Sequence, residues 1–321
     1  MIVERTIPLE PPRGRAGLPP GAGPDATRER VRMDLQLELQ YDVGEGGASF
    51  VFCIHLAQTA CQAIRQERLN LNQPLSARLQ RDPQTDTRYL RLRAPPGNLR
   101  VSYRATVDLM HRFDAPESLR ELAVDDLPLE AVRYIYPSRY CESDRLANFA
   151  FGLFGQVPSG YRRVQAIRDW VHANVRFESN TSDSATSACD TIAAGRGVCR
   201  DFAHVMIALC RALSIPARFA TGTDYGADPA LGPPDFHAYV EVFLGERWYV
   251  FDPSGTAIPM GLVRIATGRD AADVAFASIF GTVTAHAPII RAHALHEPAQ
   301  GFVLPVHVDA PLSSDGDLHG R

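Results

Sequence analysis

Apolar residues on every second position constrain this chain more than any other feature. Val31, Met33, Leu35, Leu37 and Leu39 alternate with Arg32, Asp34, Gln36 and Glu38. Successive side chains of a strand point to opposite faces, so this pattern buries one face and wets the other. Phe50, Phe52, Ile54 and Leu56 repeat it. Leu99, Val101, Tyr103, Ala105, Val107 and Leu109 repeat it against Arg100, Ser102, Arg104, Thr106 and Asp108. A further apolar stretch, Tyr89 to Ala94, ends at Pro95-Pro96-Gly97-Asn98, a turn signal. Residues 31–112 are therefore expected to form an antiparallel β domain.

The flanks differ. Residues 1–30 are rich in Pro, Gly and Arg without periodicity, and a disordered extension is expected there. A start at Met33 would remove it. Residues 113–137 carry Pro116, Pro128 and Pro137 and read as a connection. Residues 138–300 read as a second, catalytic unit and 301–321 as a tail. In that unit the period becomes helical. Ser143 is expected to cap a helix burying Leu146, Phe149, Ala150, Leu153 and Phe154. Ser159 is expected to cap another with Val164, Ile167, Trp170, Val171 and Val175 on one face.

Bulk properties narrow the function. A length of 321 residues suits two domains, and 45% hydrophobic residues can fill their cores. The net charge of −4 offers no basic field, so nucleic acid is not an expected partner. No apolar run approaches a membrane span, and residues 1–30 lack the apolar core of a secretory signal. The six cysteines show no C-x-x-C spacing. A cytoplasmic location with reduced thiols is expected. The sequon Asn180-Thr181-Ser182 then carries no meaning.

Gly195-Arg196-Gly197-Val198-Cys199 puts a thiol after a glycine turn and at the start of an apolar helix. Phe202, Ala203, Val205, Met206, Ile207, Leu209, Cys210 and Leu213 cover that helix almost all round, so it is expected to be central. Its N-terminus would then be the part that reaches a cleft. Free N–H groups and the macrodipole at a helix start favour a thiolate. Asp201, in the first turn, suits a capping role. His204 lies about 140° around the helix from Cys199 and reads as a core or supporting histidine. Cys199, His204 and Cys210 lack zinc spacing, so no metal or cofactor is expected.

A hairpin supplies two partners. Gly245-Glu246 is a two-residue turn with glycine first, as a type II′ turn demands. Leu244 then faces Arg247 and Tyr239 faces Asp252. His237 lies two residues from Tyr239 on the same face, a diagonal neighbour of Asp252. Glu241 and Trp248 share that face, and Trp248 is a candidate wall of the cleft. A carboxylate beside an imidazole fixes its tautomer, and the imidazole can take a thiol proton. Spacing alone does not bring Cys199 to this face.

Four blocks carry a resemblance. They are Gly197 to His204, Ile215-Pro216-Ala217-Arg218, Asp235 to Val242, and Trp248-Tyr249-Val250-Phe251-Asp252. In this order they resemble the core of the transglutaminase-like superfamily. The chain is similar to bacterial members of that superfamily that pair the core with an N-terminal β domain and are candidate cysteine proteases. Tyr136 to Cys141 and Gly268 to Ala275 also resemble stretches of that group. The resemblance implies an α+β fold, with an antiparallel β domain followed by a papain-like core of helices on an antiparallel sheet. It implies Cys199, His237 and Asp252 as a catalytic triad. Pro253-Ser254-Gly255 departs from the Ala-Arg that often follows the aspartate. The expected chemistry is acyl transfer on peptide or glutamine amides through a thioester, leaning to hydrolysis of a peptide or protein substrate. The alternatives are transglutaminase crosslinking and a peptide-binding module without catalysis. Asp201, His204, Tyr239 and Trp248 are expected in the cleft or behind the triad.

Overall fold

A computed structural model describes residues 5–7, 28–223, 225–231 and 234–313. The alternating residues form long antiparallel strands. β2 (Arg28–Val43) pairs along its whole length with β7 (Gly97–Phe113), from Arg28 opposite Arg112 to Val43 opposite Gly97. The odd-numbered residues of β2 from Val31 to Val43 are buried and join one core. β7 also pairs with β4 (Gln62–Leu71), with a register shift between Ile64 and Gln66. β1 (Arg5–Ile7) lies beyond β4. A second sheet contains β3 (Ala48–Phe52), β5 (Ala77–Arg81) and β6 (Arg88–Ala94) in the order β3-β6-β5. Phe50 and Phe52 of that sheet pack against Tyr41 of the first, with ring centroids 5.2 and 5.8 Å apart.

Two segments of the expected disordered extension are strand: residues 5–7, and 28–30 at the start of β2. The rest of that extension, including Met1, lies outside the described residues, as do 314–321 of the expected tail. Phe302, also assigned to the tail, is buried beneath the Arg30 and Arg32 guanidiniums, 4.3 and 3.9 Å from its ring centroid.

The chain leaves this sandwich after β7 and builds a helical layer. After α1 (Leu129–Val132) come α2 (Ala147–Phe154), α3 (Tyr161–Asn174), α4 (Ala188–Ala194) and α5 (Cys199–Ala212). Two short parallel strands, β8 (Arg176–Phe177) and β9 (Arg196–Gly197), flank α4. Every residue of α5 from Asp201 to Arg211 is buried, as its all-round apolarity predicts. The serine caps predicted for α2 and α3 do not form. Leu146 and Gly160 precede those helices without a side-chain cap. Ser143 is buried one turn earlier, and its carbonyl accepts from Leu146 N–H. On α2, Phe149 and Leu153 are exposed rather than buried, while Ala150 and Phe154 face the core.

A four-stranded antiparallel sheet completes this layer in the order β12-β11-β10-β13, from β10 (Ala217–Thr223), β11 (Phe236–Leu244), β12 (Arg247–Phe251) and β13 (Ala266–Gly268). The hairpin register is the predicted one: Leu244 faces Arg247 and Val240 faces Phe251. Gly245 takes φ +59°, as the first position of a type II′ turn requires.

The chain then returns to the sandwich, although 138–300 read as one catalytic unit. β14 (Ala277–Phe280) pairs with β3, while β15 (Val283–Ala285) and β16 (Ile289–Leu295) pair with β2. β17 (Leu312–Ser313) pairs with β7. These segments are short and polar on one side, so their periodicity does not reveal which sheet they join. Gln62 stitches the layers: its side chain donates to the Ala57 and Arg264 carbonyls at 2.7 Å and accepts from Arg264 N–H at 2.8 Å.

Candidate active site

Gly195 ends α4 in a left-handed conformation at φ +63°, and β9 carries the chain to α5. Cys199 is the first residue of α5 and is half-buried. The cap is Asp201: its Oδ2 accepts the Val198 N–H at 2.9 Å, and its Oδ1 accepts from Ser182 Oγ at 2.9 Å. Arg200 also bonds Ser182 and Asp201, which ties the polar loop before α4 to this helix start. Asp201 thus holds the turn that presents the thiol, as its place in the first turn predicts.

His237 and Asp252 lie where the hairpin register places them. His237 Nε2 is 3.3 Å from Asp252 Oδ2, an ion-pair contact outside hydrogen-bond alignment. The Cys199 thiol is near enough to His237 to help hold the ring's proton. Cys199 Sγ is also 4.0 Å from the Phe236 carbonyl oxygen. The structure thus puts His237 beside Asp252, and Cys199 beside the backbone of the residue that precedes His237. Across the ladder from His237 lies Gly222. A Cβ there would meet the Val263 carbonyl oxygen at 2.5 Å, so this strand can pass the site only with glycine.

Ser254 had no predicted role. Its N–H and Oγ both donate to Asp252 Oδ1, at 3.0 and 2.6 Å, and Ala257 N–H donates to Oδ2 at 3.0 Å. A serine two residues after an aspartate is the available signal, because such residues favour local turns of this kind. The Pro253-Ser254-Gly255 departure is the segment that clamps the carboxylate.

Charge follows from this geometry. Burial pushes the Asp252 carboxyl up, but His237, Ser254 and the Ala257 N–H outweigh it and leave it at about 2. Burial pushes His237 down, while Asp252 and Cys199 together hold it well above its ordinary value. The unfolded chain binds the extra proton of Asp252 as the pH falls below about 4, so stability is lost from there towards pH 2. The His237 contribution is complete below its unfolded value of about 6.5 and fades as the pH rises through its raised folded value. Urea midpoints should therefore fall on both sides of a weakly acid plateau. Asp252→Asn should flatten the acid limb, and an unchanged limb would refute the assignment.

The remaining candidates separate. His204 is buried, its Nε2 accepts the Ala271 N–H at 3.2 Å, and its ring stacks on Tyr140 with centroids 5.0 Å apart. Burial holds it well below its ordinary value, so it stays neutral. Asp270 accepts the Tyr140 N–H at 3.0 Å, and Arg269 pairs with Asp273. The block Gly268 to Ala275 thus ties α5 to the segment around Tyr140, through His204 and Arg211 on the helix. Tyr239 is buried in β11 opposite Ala220. Trp248 does not wall the cleft. It pairs with Phe243, six residues along β11 from His237, or about 20 Å at ~3.3 Å per residue. There it packs edge-on to Tyr134 beneath the Arg218 guanidinium.

Glu241 lies between these ends and is fully buried. Its carboxylate accepts from Arg218 Nε at 2.6 Å and from Arg264 Nη1 at 3.0 and 3.1 Å.

Comparison with known proteins agrees with this fold. A family model described as the transglutaminase-like superfamily matches residues 147–253. One described as the bacterial transglutaminase N-terminal domain matches residues 31–130. The crystal structure of a "putative cysteine protease" from Cytophaga hutchinsonii is similar at 37% identity with a TM-score of 0.82, covering 89% of this chain and 99% of that one. An uncharacterized protein of Mycobacterium leprae is 29% identical over 119 residues, 36% of this chain and 42% of that protein. An uncharacterized protein of Mycobacterium tuberculosis is 28% identical over 125 residues, 35% of this chain and 40% of that protein. The chain thus spans about two fifths of the length of these curated relatives.

Proposed function

This chain belongs to the transglutaminase-like superfamily, and from that premise we propose that it is a cysteine-dependent acyl-transfer enzyme that hydrolyses peptide or isopeptide amides. The observation that supports this reading is the buried His237–Asp252 pair, 3.3 Å apart, in the strand whose Phe236 carbonyl lies 4.0 Å from the Sγ of a cysteine at a helix start. In the proposed cycle the thiol proton passes to His237 as Sγ attacks the amide carbonyl. The C–N bond then breaks and His237 protonates the leaving amine. The Cys199 N–H, in the first turn of α5, is placed to donate to the developing oxyanion. Water, deprotonated by His237, resolves the thioester to an acid and restores the thiol. Asp252 holds the ring and stabilises its charged form. A peptide or protein is the proposed substrate and the cytoplasm the proposed location.

The test has two steps. Iodoacetamide should alkylate Cys199 at neutral pH faster than a free cysteine, with the excess lost in His237→Ala. A peptide and amide library with mass detection should then give Cys199-dependent hydrolysis. Incorporation of a labelled amine into a glutamine substrate, with no hydrolysis detected, would instead make the chain a transglutaminase. No rate excess and no turnover would favour a binding module that retains the fold.

A further inference from the structure

The outer face of the smaller sheet is basic on an acidic protein. Strand pairing puts Ser278, Val51, Arg91 and Arg78 in one cross-strand row, and Phe280, Ser49 and Arg93 in the next. Arg78, Arg91 and Arg93 are exposed. Arg78 and Arg91 stand directly opposite each other, and among the described residues neither has a carboxylate partner. Like charges directly opposed on neighbouring strands destabilise a sheet. Beside them is a hollow of about 440 Å³ lined by Val51, Gln80, Arg81, Asp82, Tyr89 and Arg91. Three of these side chains are already engaged: Arg81 pairs with Asp86 at 3.0 Å, Asp82 accepts from Gln84 N–H and Thr85 Oγ, and the Tyr89 hydroxyl donates to the Asp273 carbonyl at 2.9 Å.

This face runs into the candidate active site. Phe276 lies two residues before Ser278, and its carbonyl accepts the Cys53 N–H, continuing the β14–β3 ladder. Its exposed ring stacks on Phe236 with centroids 4.7 Å apart, and the Phe236 carbonyl is the group 4.0 Å from Cys199 Sγ. Two residues along β14 and two strand spacings across the sheet then lead to Arg91. The distance from thiol to arginines is about 20 Å, or roughly six residues of extended peptide.

We infer that this face docks an acidic segment of the peptide or protein substrate and leads the chain over Phe276 and Phe236 to Cys199. The inference rests on the acyl-transfer reading above. Carboxylates of an extended segment would sit between Arg78, Arg91 and Arg93, offsetting the repulsion that the free sheet carries. The aromatic pair would hold the apolar backbone between that segment and the scissile amide.

Binding tests this without catalysis. A fluorescein-labelled decaglutamate peptide should bind the full chain at low salt, and the complex should weaken with salt as exposed charge pairs do. Arg78→Glu/Arg91→Glu should weaken binding about tenfold or more, equivalent to about 1.4 kcal/mol. Arg68→Glu/Arg104→Glu is the control, because that opposed pair lies on the larger sheet away from β14. It should leave binding unchanged. No binding at low salt, or equal loss in both double variants, would overturn the proposal. So would tighter binding of a ten-nucleotide single strand that is lost in the same variant. A chloroacetyl peptide with five glutamates six residues from the warhead should label Cys199 faster than its glutamine counterpart. Arg78→Glu/Arg91→Glu should abolish that advantage while free chloroacetamide reacts as before. Acidic peptides that bind while chloroacetamide finds an ordinary thiol would refute the acyl-transfer reading and leave the docking face standing. Reaction with chloroacetamide but no gain from glutamates would do the reverse.

Discussion

Replacing His237 with alanine is expected to lower hydrolysis of any amide the native chain cleaves by about 10³- to 10⁴-fold, with folding intact. The imidazole has two duties in the proposed cycle: it removes the thiol proton and it protonates the leaving amine. Neither Asp252 nor His204 can substitute. Asp252 is held at about 2, too acidic to serve as a base near neutrality. His204 is buried between Tyr140 and Phe219 with its Nε2 occupied by the Ala271 N–H. Residues that act as a unit are not additive, so His237→Ala/Asp252→Ala should be no slower than His237→Ala alone. Cys199→Ala should reduce turnover to background. Steady-state rates and intact-mass detection of the thioester would check all three. A double variant slower by the product of the single effects would mean that Asp252 acts independently of the histidine.

The second large effect is on stability. Glu241→Ala is expected to destabilise the chain by about 3–5 kcal/mol, read as a lower urea midpoint. The carboxylate is fully buried and shared by Arg218 and Arg264. Truncation leaves two guanidiniums facing each other across a cavity in β11. Losing the negative charge that both guanidiniums share in a buried site costs more than the lost contacts do. Glu241→Gln keeps the shape and loses the charge, so a smaller loss is expected. Substituting all three residues with Leu or Met should recover most of the stability, because apolar packing replaces buried ion pairs at little cost. A Glu241→Ala midpoint within error of the native one would show that water reaches the cluster.

The sequence made the local parts of this molecule legible and left the long-range ones hidden. Period 2 located β2 and β7 because each has one buried face and many repeats. The II′ turn at Gly245 was enough to fix the β11–β12 register and hence the His237–Asp252 pair. The helix-start cysteine was visible from the glycine turn before it. What stayed hidden depends on contacts distant in sequence. Nothing local links Cys199 to His237. Ser143 and Ser159 have the chemistry of caps, but tertiary packing places Ser143 a turn early and leaves Gly160 at the start of α3. Trp248 was placed on the correct face yet at the wrong end of it, because a face is set by parity and a position along it by distance. The role of Gly268 to Ala275 appears only when α5 lies beneath it, through the bond from Ala271 to His204.

The return of β14 to β16 to the sandwich sets an order for synthesis. One edge of β2 finds its partner as soon as β7 leaves the ribosome, while its other edge must wait for Ile289–Leu295. At ordinary translation speeds the intervening stretch takes roughly ten to thirty seconds to emerge. Throughout that interval a sixteen-residue strand displays an open hydrogen-bonding edge to its surroundings or to a neighbouring nascent chain. The helical layer must fold as a loop growing out of an unfinished sheet, and cannot be released early as a self-contained body. Polysome spacing and holdase chaperones would then matter more to the yield of this protein than its final stability.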